Sequence, residues 1–174
     1  HVTVVLSGDG GDELFGGYDR YLPHPRVARF DRIPVPGLRT AAALAWPLLP
    51  HGARGKNFLR HVAQDAPGRY VDSIVQFQAD ERAALYGDGA RAALAARAEA
   101  TLARHFDRFR ALPHDSGMMR FDFETYLPED VLTKVDRMSM AHSIESRVPL
   151  LDNKVIDFAA SLPASLKIKN GRRK

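Results

Sequence analysis

VTVVLSGDGGDELFGGY, residues 2–18, sets the fold class of this 174-residue chain. The run 2–6 is β-branched and aliphatic and does not alternate with polar residues, which predicts a parallel-type strand buried on both faces. The glycines after it predict a tight turn, and Asp12 and Glu13 suit the positive N-terminal end of a following helix. We therefore expect a strand–loop–helix unit of an α/β protein.

Beyond this unit the sequence is helical in pattern, and the prolines between residues 23 and 36 interrupt it. One strand cannot form a sheet by itself, so we expect its partner strands upstream, in a longer protein of which this chain is a fragment. The expected fold is a predominantly helical fragment of an α/β domain with one N-terminal strand. Predicted helices cover approximately residues 18–30, 37–49, 55–64, 68–77, 79–85, 89–96, 98–112, 114–142 and 152–160.

Two of these helices carry specific packing predictions. Residues 114–142 have apolar side chains at helical spacing, with Pro128 at or near the first position of a new helix and with Met138 and Met140 in the core. In 152–160, Asp152 or Asn153 is the expected N-cap. The predicted inward-facing residues there are Val155, Ile156, Phe158 and Ala159, and the predicted ion pairs bracing the preceding helix and turn involve Asp136, Arg137, Glu145 and Arg147.

The composition is that of a globular protein, with 45% hydrophobic and 26% charged residues. Because the chain has no cysteine, disulfides, thiolate metal sites and cysteine nucleophiles are excluded within it. No apolar stretch reaches the roughly 20 residues that span a bilayer, and the first residues lack signal-peptide features, so we expect a cytoplasmic protein. The net charge of +4 leaves open a basic adaptor for nucleic acid, although the arginines are scattered and no groove-reading motif is present.

The loop 7–17 carries the strongest chemical signal. A glycine-rich turn between the carboxyl end of a strand and a helix points N–H groups into a concavity that suits a phosphate or the sugar of a nucleotide. It contains neither a P-loop nor a dinucleotide fingerprint. The carboxylates of Asp9, Asp12 and Glu13 would repel a phosphate unless Mg²⁺ lay between them, so we expect a magnesium site here. The alternative is that the acids only cap a helix and the glycines only turn the chain.

Three segments, SGDGGDELFGGY (7–18), YLPEDVLTKVDRMSMAHSIESRVPLLD (126–152) and LKIKNGRRK (166–174), resemble the synthetase domain of the glutamine-dependent asparagine synthetases. The likeness covers residues 1–20 and 120–174, whereas residues 35–115 match no motif of that family. It implies a domain of the PP-loop class, which uses ATP to adenylate a carboxylate, as in aspartate, and lets ammonia displace AMP. On this resemblance residues 1–174 are the C-terminal part of that domain.

The resemblance also implies roles for single residues. Ser7, Gly8, Gly10 and Gly11 would bind the nucleotide, Asp12 would hold Mg²⁺ on the pyrophosphate of ATP, and Asp9 would act as a base or orient the substrate. The family commonly has glutamate at the position of Asp9, so the carboxylate here is one methylene shorter. Lys174, or Lys169 in the alternative register, would neutralise charge that develops on the adenylated carboxyl group.

Two parts of that family are not found in the 174 residues: the SGGxDS loop that grips pyrophosphate, and the cysteine that releases ammonia from glutamine. We therefore expect the chain alone to lack glutaminase and complete synthetase activity. Ammonia would come from a glutaminase domain of the parent protein, for which a homodimer is one option. Sugars, peptides and antibiotic precursors are alternative acceptors, and a nucleotide-binding module without chemistry is the alternative function.

Overall fold

The structure is a computed structural model of the chain. The chain forms two compact units, His1–Leu22 with Leu102–Lys174, and Pro23–Thr101. None of the helices that the structure describes combines the length and the apolar character that crossing a membrane requires. The described residues are 2–22, 37–50, 52–77, 81, 84–86, 93, 104–105 and 107–169.

The secondary structure is mostly helical, with two short strands. Residues 107–110 are helical as well, and short 3₁₀ turns lie at Asp19–Tyr21, Trp46–Leu48 and Pro149–Leu151. A π-helical segment, Leu127–Leu132, leads into α6. In chain order the elements are β1 (Val4–Leu6), α1 (Gly11–Phe15), α2 (Leu38–Ala45), α3 (Lys56–Ala63), α4 (Ala66–Ile74), α5 (His114–Glu124), α6 (Thr133–Met140), β2 (Glu145–Arg147), α7 (Asn153–Ser161) and α8 (Ala164–Lys167).

The first unit contains a two-stranded parallel sheet. β1 pairs with β2 in the register Val4 to Glu145, Val5 to Ser146 and Leu6 to Arg147. The expectation of one strand was therefore wrong, and β2 lies in a stretch between two predicted helices for which the sequence predicted only a turn. The sequence Glu-Ser-Arg has no β-branched residue to mark a strand. Its only signal is the alternation of Ile144, Ser146 and Val148 with charged neighbours.

The prediction that the first strand is buried on both faces was also wrong. Val4 and Leu6 point to the same side, because strand residues alternate, and they are 41% and 74% exposed. Within the part of the chain that the structure describes, no element covers this apolar side. An unbroken apolar run predicts a covered strand but does not say which segment covers it.

The core of the first unit forms where α5 meets α1 and the helical residues 107–110. Gly117 of α5 allows the ring of Phe109 to lie directly against the helix backbone. The methionines of α6 were predicted wrongly: Met138 and Met140 are 64% and 55% exposed. Phe158 is exposed as well, whereas Ala159 is buried as predicted. The buried apolar residues of this unit are Leu14, Tyr21, Phe109, Met118, Met119, Phe121, Leu127 and Ala159.

The ends of helices were predicted more accurately than the strands and the core. The carboxylate of Asp152 accepts a hydrogen bond of 2.9 Å from the Lys154 N–H and caps α7, as expected. Pro128 is the second residue of the π-helical segment, close to its predicted place.

The ion-pair prediction holds only for Arg147 and Glu145, which are 2.8 Å apart. Both lie on β2 and brace no helix, and Asp136 and Arg137 form no ion pair among the described residues.

The second unit contains α2, α3 and α4, which confirm the helices predicted over 37–49, 55–64 and 68–77, although α4 begins two residues early. The carboxylate of Asp65 accepts a hydrogen bond of 2.9 Å from the Gly68 N–H and caps α4. Asp72 binds Arg60 at 2.9 Å and the His61 ring at 3.1 Å. Most of the predicted helices at 18–30, 79–85, 89–96 and 98–112 lies outside the described residues.

Candidate functional site

The glycine-rich loop leaves the carboxyl end of β1 with its backbone fixed to the neighbouring strand. The Ser7 N–H donates to the Arg147 carbonyl at 2.9 Å, and the Gly11 N–H donates to the Gly8 carbonyl at 3.3 Å. The Ser7 hydroxyl donates to the Asp9 carboxylate and accepts from the Asp9 N–H at 3.1 Å. The loop therefore holds the carboxylate of Asp9 in one orientation before any ligand binds.

Two glycines of this loop differ in what surrounds them. Gly10 has φ +80°, and a Cβ there would lie 3.0 Å from Leu151 Cγ, in a side chain from the segment that follows β2. Gly8, by contrast, has open space around its Cβ position, with no atom within 4 Å. Glycine at position 10 is therefore explained by its conformation and packing, whereas glycine at position 8 keeps a backbone surface uncovered.

Asp12 lies in the first turn of α1, where the helix dipole favours a carboxylate. Its side chain folds over Gly17, where the Cβ position is 2.7 Å from Asp12 Cγ. A larger residue at position 17 would displace this carboxylate. Asp12 as a whole is half-buried.

Glu13 does not join Asp9 and Asp12 as expected. Its side chain is buried, and it accepts a hydrogen bond of 2.7 Å from the Tyr18 hydroxyl. Burial raises the pKa of Glu13, an effect that the hydrogen bond from Tyr18 only partly offsets. The pKa of Tyr18 is raised as well, by burial and by donation to Glu13. Glu13 thus fixes α1 to Tyr18 through a buried hydrogen bond.

This burial makes stability depend on pH. In the unfolded state the pKa of Glu13 is near 4.5, and in the folded state it is higher, so the folded protein keeps this proton to a higher pH. The free energy of unfolding therefore falls as the pH rises from the unfolded-state pKa to the folded-state pKa of Glu13. Glu13→Gln removes the titration, so the variant should become more stable relative to the wild type as the pH rises above the pKa of the unfolded state. Urea unfolding at several pH values measures the difference. The exposed Glu129→Gln is the control, and identical pH profiles for wild type and Glu13→Gln would contradict the assignment.

A polar cluster ties the chain after the loop to α5 and to the π-helical segment. The Arg20 guanidinium lies over the Tyr18 ring at 4.1 Å and the Tyr126 ring at 4.4 Å. Its Nη2 is 2.7 Å and its Nε 3.1 Å from Asp122 Oδ2, which also accepts from the Tyr21 hydroxyl at 2.8 Å. Asp122 is fully buried. No motif predicted this cluster from the sequence, although Asp122, an acid four residues after Met118 within an apolar stripe, was a usable signal.

The C-terminal segment comes back to the same loop. Ile168 packs on Gly16, the residue that ends α1 at φ +75°, and its Cγ1 is 2.8 Å from the Cβ position there. Lys167 is half-buried, and burial lowers its pKa below the usual 10.5. Lys169 is exposed, and Lys174 lies outside the described residues. Ser7, Gly8, Asp9 and Gly10 thus form one continuous loop that leads into Gly11 and Asp12 at the start of α1. Leu151 packs on Gly10 in the loop, and Ile168 packs on Gly16 at the end of α1.

The carboxylates fit Mg²⁺ only together with a phosphate-bearing ligand. Among the described residues no group of three or more His, Asp or Glu side chains could hold a metal ion. Proteins usually bind Mg²⁺ through one or two carboxylates plus substrate phosphates and water. Asp9 and Asp12 are the two half-buried carboxylates of this segment, and Gly8 beside Asp9 has an uncovered backbone.

A loop between the carboxyl end of a parallel strand and a helix is where α/β proteins place their ligands. The family model for asparagine synthase matches residues 1–174, so the chain belongs to the asparagine synthase family. The match includes residues 35–115, for which the sequence offered no motif of that family. The expected family is therefore confirmed, and the likeness extends beyond the two ends of the chain.

Curated relatives agree with this assignment. The chain is 34% identical to "Asparagine synthetase [glutamine-hydrolyzing] 1" of Bacillus subtilis and 38% identical to a "Putative asparagine synthetase [glutamine-hydrolyzing]" of Mycobacterium tuberculosis, over 100% and 97% of its length. It is also 26% identical, over 97% of its length, to "Amidase chry2" of Gibberella zeae. The chain covers 27%, 25% and 27% of these proteins, so it spans about a quarter of their length. No solved structure is significantly similar to it.

Proposed function

We propose that this chain is the C-terminal part of the synthetase domain of an asparagine synthetase-type ligase with a PP-loop fold. The observation that carries the proposal is the convergence of distant segments on one loop. β1 pairs with β2, Leu151 packs on Gly10, and Ile168 packs on Gly16. These are the segments whose sequences resemble the family. Their assembly supports one site rather than separate structural motifs.

The reaction we propose is amide formation at the expense of ATP. A carboxylate oxygen of aspartate attacks the α-phosphorus of ATP, and pyrophosphate leaves. Ammonia then attacks the acyl carbon, loses a proton, and AMP leaves as the C–O bond breaks. The products are asparagine, AMP and pyrophosphate.

The loop residues have distinct roles in this proposal. Ser7, Gly8, Gly10 and Gly11 bind the nucleotide in this proposal, and the open space at Gly8 supports a close approach to its backbone. Asp9, held by the Ser7 hydroxyl, orients the substrate or accepts the proton that ammonia loses. A carboxylate fixed by a neighbouring hydroxyl needs little reorganisation during the reaction.

Asp12 holds Mg²⁺ on the phosphates of ATP in this proposal. The metal, when bound, neutralises charge on the leaving pyrophosphate. Asp12 itself positions its carboxylate over Gly17. The cation for the adenylated carboxyl group is Lys174 or, in the other register, Lys169. The packing of Ile168 on Gly16 supports the second choice, because Lys169 directly follows Ile168 in the chain.

The proposal extends to the rest of the parent protein. A PP-loop segment and a glutaminase domain lie upstream, and the exposed side of β1 with Val4 and Leu6 is a surface for the upstream strands. The glutaminase domain supplies ammonia, and the parent protein works in the cytoplasm, where ATP is available, with a homodimer as one possible assembly. The length of the relatives, about four times that of the chain, supports further domains.

The metal role of Asp12 is tested in the full-length parent protein. Asp12→Asn should lower kcat/KM for ATP by roughly 100-fold and raise the Mg²⁺ concentration needed for half-maximal rate, because one anionic ligand is lost. Pyrophosphate release measured against Mg²⁺ concentration gives both values. Asp157→Asn, an exposed acid of α7, is the matched control. An unchanged magnesium dependence would exclude Asp12 as a ligand.

The acceptor is a separate question, because one relative is named an amidase rather than an asparagine synthetase. Aspartate and other carboxylates can be compared directly, with ATP, ammonia and the parent protein, by mass spectrometry of the amide formed. Formation of asparagine supports the proposal. ATP binding without any amide product would favour the nucleotide-binding module instead.

A further inference from the structure

A cavity of about 510 Å³ lies in the second unit, between the end of α2 and the start of α3. None of the loop residues discussed above lines it, and the proposed function makes no use of it. Its volume falls within the range of about 300–1,000 Å³ that small-molecule sites occupy. The side chains that give it chemical character are Trp46, Arg54, Lys56, Asn57, Arg60 and Glu81.

The lining contains three basic side chains and one acidic one. Arg60 is held by Asp72 at 2.9 Å, so its guanidinium has a fixed position at the wall. The ammonium group of Lys56 lies 5.8 Å from the centre of the Trp46 ring. Arg54 is exposed at the rim. Several cations around one concavity favour an anion with several acceptor oxygens.

The backbone at the start of α3 adds to the positive electrostatic potential of the cavity. Gly55, at φ +90°, turns the chain into α3, and no side chain caps that helix start. The first turn of α3 contains no acidic residue. No acid of its own first turn neutralises the partial positive charge at this helix start, so that charge adds to those of Arg54 and Lys56.

We propose that this cavity binds a small phosphate-bearing molecule. The phosphate group lies among Arg54, Lys56 and Arg60, and the remaining volume, much larger than a bare phosphate, accommodates an organic body beside Trp46. The site is distinct from the loop at β1 in sequence and in chemistry, because it has one acid among its lining residues and needs no metal to bind an anion.

The test exploits the single tryptophan of the chain, Trp46, which lines the cavity. Fluorescence of the purified 174-residue chain is titrated with inorganic pyrophosphate and with glucose 6-phosphate, at constant ionic strength set with potassium chloride. We expect a saturable change in the Trp46 signal for both. Arg54→Gln should weaken binding by about 10-fold, since one charge-assisted contact is lost. Lys154→Gln, which removes an exposed charge on α7, should leave the affinity unchanged.

Circular dichroism checks that each variant keeps its helix content, and calorimetry on a longer protein containing the chain repeats the comparison without the fluorescent reporter. Lys56→Arg, which keeps the positive charge beside the cavity, should bind within about threefold of the wild type. A fluorescence change that does not saturate would overturn the proposal. So would an equal loss of affinity in Arg54→Gln and Lys154→Gln. Binding of a single-stranded oligonucleotide but of neither small phosphate would overturn it as well.

Discussion

Asp122→Asn is expected to lower the free energy of unfolding by about 3 kcal/mol, the lower end of the range for breaking a buried ion pair. The carboxylate is fully buried and accepts three hydrogen bonds, two from Arg20 and one from Tyr21. Asparagine keeps the shape but loses the charge that compensates Arg20. The lower end applies because the Arg20 side chain is 25% exposed and regains some hydration.

Chemical denaturation of wild type and variant measures this loss, with Asp157→Asn on the surface of α7 as the control that should change stability by less than about 0.5 kcal/mol. A double-mutant cycle with Arg20→Ala isolates the pair. We expect the two substitutions together to cost at least about 1 kcal/mol less than their sum, because both remove the same contact. Additive effects, or a loss no larger than that of the control, would show that Asp122 and Arg20 do not stabilise each other.

The strand–loop–helix unit could be predicted from the sequence because its signals are local. An aliphatic run, glycines at a turn and acids in a first helical turn each act within a few residues. The cap at Asp152 and the helices α2 to α4 were also predicted from signals that act within a few residues. β2 has no such local signal, because Glu145, Ser146 and Arg147 form a strand only through hydrogen bonds to a segment about 140 residues away.

The difference between local signals and tertiary contacts also explains the errors in the predicted site. Asp9, Asp12 and Glu13 are equivalent as sequence, yet Glu13 is buried by the tertiary packing of α1 against α5 while the other two stay half-buried. Amphipathic spacing likewise placed Met138 and Met140 in a core that no described neighbour provides. Periodicity identifies the apolar side of a helix, but only the packed partner determines whether that side is buried.

Gly117→Ala is the second substitution with a large expected effect, and two principles disagree about its sign. In an exposed helix, alanine is favoured over glycine by about 1 kcal/mol. At position 117 the new Cβ would collide with the ring of Phe109 and lie 2.7 Å from the Phe109 carbonyl oxygen. The ring is 1% exposed and is held between His114 and Phe121, at 5.8 Å and 6.0 Å, so it has little room to move.

Overpacking of this kind costs about 1–3 kcal/mol, and the contact with a backbone atom puts this case at the upper end. The carbonyl of Phe109 accepts from the Leu112 N–H at 3.2 Å, so moving it would disturb the turn that leads into α5. We therefore expect a net destabilisation of about 2 kcal/mol after the helix propensity of alanine is included. Denaturation midpoints test this, with Gly8→Ala, whose Cβ enters open space, as the control. Phe109→Leu should recover part of the loss in the double variant, and a Gly117→Ala protein as stable as the wild type would mean that α5 does not pack on Phe109 as closely as the structure indicates.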